Sequence, residues 1–206
     1  MNPFVDHFLQ QSITFAAIMD PVGVSALMLG MLPHQATRSE TARIAAKSTL
    51  TVVIAFFVVL FSGDLLLHFF GIDQFSLKVI GGIVLLMMAI EMLGNGETAR
   101  MLPTEGKEEI AVIPLGIPMI FGAGLFTTII IFKQQAHGIL DIVVMVAAFL
   151  LNAAVIYLVL RYAIVIRRWL GLTAENVITK LMGLITGAIA VQFIVSGVVV
   201  LGKHYL

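Results

Sequence analysis

Apolar residues run almost unbroken along most of the chain, from Phe8 to Leu32, Leu50 to Phe70, Phe75 to Gly94, Ile110 to Phe132, Ile139 to Ile166 and Val177 to Leu201, with short polar segments between. Each run reaches about the 20 residues that carry a helix across a bilayer, so the pattern predicts six membrane-spanning helices. The first run follows Asp6 and His7 rather than a basic region and has no small-residue cleavage site, so it reads as a retained helix, not a signal peptide. The longest polar stretch, 95–109, holds Arg100, Pro103, Gly106 and Lys107 among four glutamates and reads as a linker. It divides the chain into two three-helix units, 1–94 and 110–206.

Composition agrees with the pattern. The 206 residues are 60% hydrophobic and 12% charged, against about 45–50% and 25% in soluble domains, and the mean hydropathy is +1.06. The lipid bilayer is therefore the first partner, and no length remains for a soluble catalytic or nucleic-acid-binding domain. Twelve basic against twelve acidic side chains give no net charge, hence no field to attract nucleic acid. The absence of cysteine removes disulfides, thiolate metal sites and thiol redox relays.

Charge placement carries more than charge total. Arg38, Arg43, Lys47, Arg100, Lys107, Arg161, Arg167, Arg168 and Lys180 fall near loops one, three and five, whereas only Lys78, Lys133 and Lys203 fall on the other side. The positive-inside rule then puts the odd loops in the cytoplasm and both termini outside.

The two halves also resemble each other. Gly82-Ile83-Val84 corresponds to Gly183-Leu184-Ile185, Met88-Ala89-Ile90-Glu91-Met92 to Ile189-Ala190-Val191-Gln192-Phe193, and Gly23 to Gly124, all at one offset of 101 residues. Three helices per half would make the second copy enter the membrane with opposite polarity, the inverted-repeat plan of many secondary transporters.

Two places break the rules of a lipid-embedded helix. Asp20 lies near the middle of the first apolar run, where a carboxylate is costly unless it meets water, ions or partner groups. Pro21 follows it, and Asp as N-cap with Pro at the first helical position signals a helix start. The first span is therefore expected to break at the midplane and resume at Pro21, with Gly23 allowing close approach and Ser25 on the new half-helix; a plain kink with Asp20 as cap is the structural alternative. In the fourth span, Pro114, Gly116, Pro118, Gly122 and Gly124 are too many breakers for a continuous helix. Thr127 and Thr128 then stand in the first turns of a second half-helix, where hydroxyls and free amides can bind a carboxylate or an ion. Interruptions at corresponding places of two halves point to a midplane substrate site; glycines serving only close helix packing are the alternative.

Among the remaining intramembrane polar residues, Asn152 and Gln192 are the candidates to line a cavity, while Ser12, Thr14 and Thr186 fit interhelical hydrogen bonds and Glu91 the interface. No residues have metal-ligand spacing, and no nucleophile has a base within reach, so no catalytic residues and no enzyme activity are expected. No phosphate-binding loop is present. Gly81, Gly82, Gly183 and Gly187 would pack helices within one subunit or between copies in a homo-oligomer.

Asp20-Pro21-Val22-Gly23, the run from Pro114 through Pro118 to Gly122-Ala123-Gly124, and the Gly81-Gly82 and Met182-Gly183-Leu184 pairs together resemble the MarC family of bacterial inner-membrane proteins, also described as SnatA-type neutral amino-acid transporters. The resemblance spans essentially the whole chain. It implies a six-helix transporter-like fold in the bacterial inner membrane and movement of small neutral amino acids such as alanine and glycine. Where the family often has Asn-Pro-x-Gly and Gly-Pro-Gly, this chain carries Asp20 and Ala123. The reading is thus an all-α, multi-pass secondary transporter or exporter with two inverted repeats. Its substrate-binding candidates are Asp20, Pro21, Gly23, Ser25, Gly122, Gly124, Thr127, Thr128, Asn152 and Gln192. It would need no cofactor beyond a coupling proton or sodium ion, for which Asp20 is the candidate. A cation carrier or channel and a non-transporting membrane scaffold are the competing classes.

Overall fold

The computed structural model describes residues 3–32, 37–94 and 111–205, so the 95–109 linker lies outside the described residues. Every element among them is helical: α1 (Pro3–Met19), α2 (Pro21–Met31), α3 (Arg38–Phe70), α4 (Gln74–Leu93), a wide-turn segment (Ala111–Ile120), α5 (Ala123–Gln135), α6 (Ile139–Arg161) and α7 (Ala163–Tyr205). In hydrocarbon a helix is the natural choice, because it satisfies its own backbone groups without water.

Five helical stretches are long and apolar enough to cross a membrane: Phe4–Met31, Arg38–Phe70, Gln74–Leu93, Ile139–Arg161 and Ala163–Lys203. The fourth apolar run forms no such single helix. It is shared between the wide-turn segment and the 13 residues of α5.

Boundaries follow local chemistry more than hydropathy. Helix α3 starts at Arg38, well before the apolar run at Leu50, because Thr37 and Glu40 form a capping box: the Glu40 amide donates to Thr37 Oγ1 at 3.2 Å and the Thr37 amide to Glu40 Oε2 at 2.8 Å. It stops at Gly71, whose φ of 63° ends the helix, with Ile72 N–H on Leu67 O at 2.9 Å. Asp73 then caps α4. The Ser76 hydroxyl, helped by the amides of Ser76 and Phe75, holds the Asp73 carboxyl below its usual range. The fifth run ends earlier than its hydropathy suggests, since α6 stops at Arg161, and a second bend at Gly171 (φ 69°) separates 163–170 from the long helix that follows.

Two helix pairs form the frame. Helix α4 packs along α7, its most extensive contact, and α3 packs along α6. The α4–α7 approach is made by glycines. A Cβ on Gly82 would stand 2.8 Å from Ala190 O, and one on Gly183 would stand 3.3 Å from Ala89 O. Helix α1 rests on α6, and the wide-turn segment on α3. An aromatic cluster locks these layers: Phe56 stacks on Phe149 at 3.8 Å, and Phe15 meets the edges of Phe149 and Phe132 at 5.6 Å. The outside is apolar, with Phe61, Phe69, Ile139 and Trp169 exposed.

Arg38 and Arg161 line a common cavity of about 360 Å³ where α3 begins and α6 ends. That end of the bundle is called the arginine end below, and the opposite one the termini end.

Candidate functional site

Asp20 stands alone between two helices. Its φ of 34° and ψ of 70° put it in the left-handed region, which few residues other than glycine, asparagine and aspartate enter. Its amide still closes the last turn of α1 on Ala16 O at 3.1 Å, and its carbonyl accepts from Val24 N–H at 2.9 Å to open α2. Pro21 has no amide to leave unpaired at the first position. The carboxylate caps the new helix, accepting from Gly23 N–H at 3.1 Å, and receives a hydrogen bond from the Thr179 hydroxyl of α7. Gly23 is required by this fit: a Cβ there would lie 2.0 Å from Asp20 Oδ2 and 3.0 Å from Thr179 Oγ1. Asp20 is 8% exposed.

The second interruption is built differently. Ile113 (φ −129°, ψ 124°) and Ile117 (φ −131°, ψ 124°) are extended, and each precedes a proline, whose ring pushes the residue before it out of the helical region. The backbone between them makes wide turns. Ser48 Oγ donates to Ala111 O at 2.8 Å, and Phe121 N–H reaches Gly116 O, five residues back, at 2.9 Å. Helix α5 then starts after Gly122, with no side-chain cap. Gly124 lies against Leu85 and Met88 of α4, and Thr127 fills the space over Gly81.

The sequence-selected residues therefore form two groups rather than one. Asp20 and Gly23 face α7, while Gly124 and Thr127 face α4. Thr127 and Thr128 bond to their own helix, donating to Ala123 O at 2.9 Å and Gly124 O at 2.8 Å, and Ser25 donates to Val22 O at 2.8 Å. Asn152 ties α6 to α1 through Ser12 O at 3.1 Å, with a second bond to Ala148 O at 2.9 Å.

Thr179 lies one helical turn from Gly183, which packs on Met92 and Ala89 of α4, on the side toward the arginine end.

Gln192 has a different setting. With Gln10, Thr14, Lys78, Gln135 and Ser196 it lines a cavity of about 540 Å³ toward the termini end, walled by Ile13, Phe132, Ile185, Ile189 and Phe193. Lys78, Thr179 and the buried Glu175, whose two oxygens have no hydrogen-bond partner among the described residues, were not singled out from sequence. The repeat offset pairs Lys78 with Thr179 and was the signal that could have found those two. Among the described residues no three His, Asp or Glu side chains converge as metal ligands.

Comparison with known proteins gives a consistent result. A family model described as MarC family integral membrane protein matches residues 5–201. A UPF0056 membrane protein of Aquifex aeolicus is 30% identical over 213 residues, covering 99% of this chain and 98% of its own. The UPF0056 membrane protein YhcE of Escherichia coli is 32% identical over 190 residues, covering 88% and 87%. The UPF0056 membrane protein MJ1677 of Methanocaldococcus jannaschii is 28% identical, covering 94% and 97%. No solved structure matches.

Proposed function

The chain belongs to the MarC family of multi-pass integral membrane proteins, and from that premise we propose that it is a gradient-driven transporter or exporter of small neutral amino acids such as alanine and glycine. In this reading the two halves are inverted three-helix repeats, and the interruptions at Asp20 and at 111–122 are the broken helices of spans one and four. The excess of Lys and Arg at the arginine end makes that end cytoplasmic and puts both termini outside.

Reciprocal packing supports the repeat. At the offset of 101 residues Gly82 corresponds to Gly183 and Ala89 to Ala190, and the contacts are Gly82 on Ala190 and Gly183 on Ala89. Two equivalent units related by a two-fold axis must exchange contacts in this way. The remaining pairings have counterparts as well: α1 on α6 with the wide-turn segment on α3, and α2 on α7 with α5 on α4.

The observation that carries the function is the Asp20 carboxylate, enclosed between α2 and α7 at a helix interruption. A scaffold would use this group only as a helix cap, whereas a coupled transporter would also need it to gain and lose a proton or sodium ion. The test is uptake of labelled alanine and glycine into proteoliposomes under imposed proton and sodium gradients, beside Asp20→Asn. Gradient-driven uptake that loses its gradient response in the variant is the expected result. Cation flux with no amino-acid requirement would move the chain to the cation-carrier class, and no flux of either kind from folded, reconstituted protein would leave the scaffold.

A further inference from the structure

We propose that the 540 Å³ cavity toward the termini end is a carboxylate-binding site centred on Lys78; this rests on the amino-acid reading above and names where the solute's carboxylate binds. Among the described residues Lys78 is the one charged residue lining the cavity, alongside the amides and hydroxyls of Gln10, Thr14, Gln135, Gln192 and Ser196. No acidic side chain among the described residues lines it. Lys78 is half-buried in the second turn of α4 and has no hydrogen-bond or ion-pair partner among the described residues. A partly desolvated ammonium without an anion is unfavourable, and the volume falls within the range of about 300–1,000 Å³ typical of small-molecule sites.

The repeat supplies the ligand's chemistry. At the offset of 101 residues Lys78 corresponds to Thr179, and Thr179 holds a carboxylate, that of Asp20. The residue corresponding to Asp20 in the second half is Phe121, which carries no charge. The Thr179 position thus meets the chain's own carboxylate, whereas the Lys78 position carries a cation and Phe121, which does not line the cavity, supplies no acid to it. A solute carboxylate completes it, with the amide oxygens of Gln10, Gln135 and Gln192 available to the solute's ammonium and the isoleucine and phenylalanine walls to its apolar part.

The chain has no cysteine, so a Ser196→Cys variant reports on the cavity alone. Its reaction with a thiol reagent would be followed in nanodiscs with L-alanine, with propionate, which lacks the ammonium, and with alaninamide, which lacks the carboxylate. Alanine and propionate are expected to slow labelling and alaninamide to leave it unchanged. In a Lys78→Met background the concentration of either carboxylate giving half protection should rise by about tenfold or more, and in Lys78→Arg it should stay close to the parent's. Equal protection by alaninamide, protection that survives Lys78→Met, or no protection by either carboxylate would overturn the proposal. Protection by inorganic phosphate or short-chain phosphatidylglycerol but not by propionate would overturn it in favour of a lipid headgroup. Because the readout is binding, it separates from transport: alanine flux untouched by Lys78→Met removes this site and leaves the transporter, whereas Lys78-dependent protection without flux does the reverse.

Discussion

The two helix interruptions, at Asp20 and between Ile113 and Phe121, are made by opposite means. At Asp20 a single residue adopts a left-handed conformation and its own carboxylate caps the helix that follows. Between Ile113 and Phe121 two proline rings force two residues into extended backbone, and the next helix starts with no side-chain cap. The first interruption is held by a side-chain oxygen that accepts from Gly23 N–H, so a side chain that neither caps nor tolerates the left-handed backbone weakens it. The second is held by covalent geometry and is indifferent to ions. The difference makes the α1–α2 junction depend on one side chain, whereas the wide-turn segment follows from its prolines.

The comparison requires that both interruptions hang on an equivalent frame, and the strongest way to break it is at the α4–α7 glycines. Gly82→Leu drives a side chain into Ala190 O and Ile194, and Gly183→Leu into Met92 and Ala89 O. Overpacking of this kind costs about 1–3 kcal/mol. Gly82→Leu should reach about 3 kcal/mol or more, since its nearest backbone atom is at 2.8 Å, and Gly183→Leu somewhat less, since its own is at 3.3 Å. Unfolding by SDS titration followed by far-ultraviolet circular dichroism measures both. A large effect at one glycine and none at the other would refute the equivalence of the halves.

Substitutions of Asp20 sharpen the contrast between the interruptions. Alanine removes the cap and leaves a Cβ in the left-handed region, and the two effects together cost about 2 kcal/mol. Glycine tolerates the backbone and should cost only a few tenths, and asparagine, which both caps and tolerates the conformation, about as little. The expected order of unfolding midpoints is therefore Asp20→Ala lowest, with Asp20→Gly and Asp20→Asn near the parent, while gradient coupling is lost in all three. Equal destabilisation by all three would mean that the charge itself, rather than its cap, holds the junction.

The sequence made much of this legible, for reasons that can be located. Asp-Pro and repeated Pro and Gly in apolar runs are strong local signals, and they marked the places where the backbone departs from a helix. The single offset anticipated which glycines correspond, although not that each would pack on the other's alanine. Long-range pairing was invisible. Nothing in hydropathy says that Asp20 turns toward Thr179 while Gly124 turns toward Leu85 and Met88. The early start of α3 was missed because a capping box at Thr37 and Glu40 outweighs the polar residues that follow it. Lys78 was counted only among the few basic residues of the termini side, because only three dimensions place it beside Gln192 in a cavity.

The smallest effect concerns a feature that one end of the bundle has and the other lacks. Lys133 at the end of α5 donates to Leu60 O and pairs with Asp64 of α3, both at 2.6 Å. The corresponding residues at the arginine end are Leu32 and Val165, which are apolar. The pair is partly exposed, with side-chain exposures of 21% and 49%, so Lys133→Leu should lower the unfolding midpoint by no more than about 1 kcal/mol and by less at high salt. Adding Asp64→Val rebuilds the termini end on the pattern of the arginine end. If the halves are equivalent frames with different fittings, the double variant should recover most of the loss, to within about 0.5 kcal/mol of the parent, because no unpaired carboxylate remains. A double variant less stable than Lys133→Leu alone would mean that the ion pair fixes α5 on α3 in a way the other half does not reproduce, and the equivalence would then stop at the α4–α7 frame.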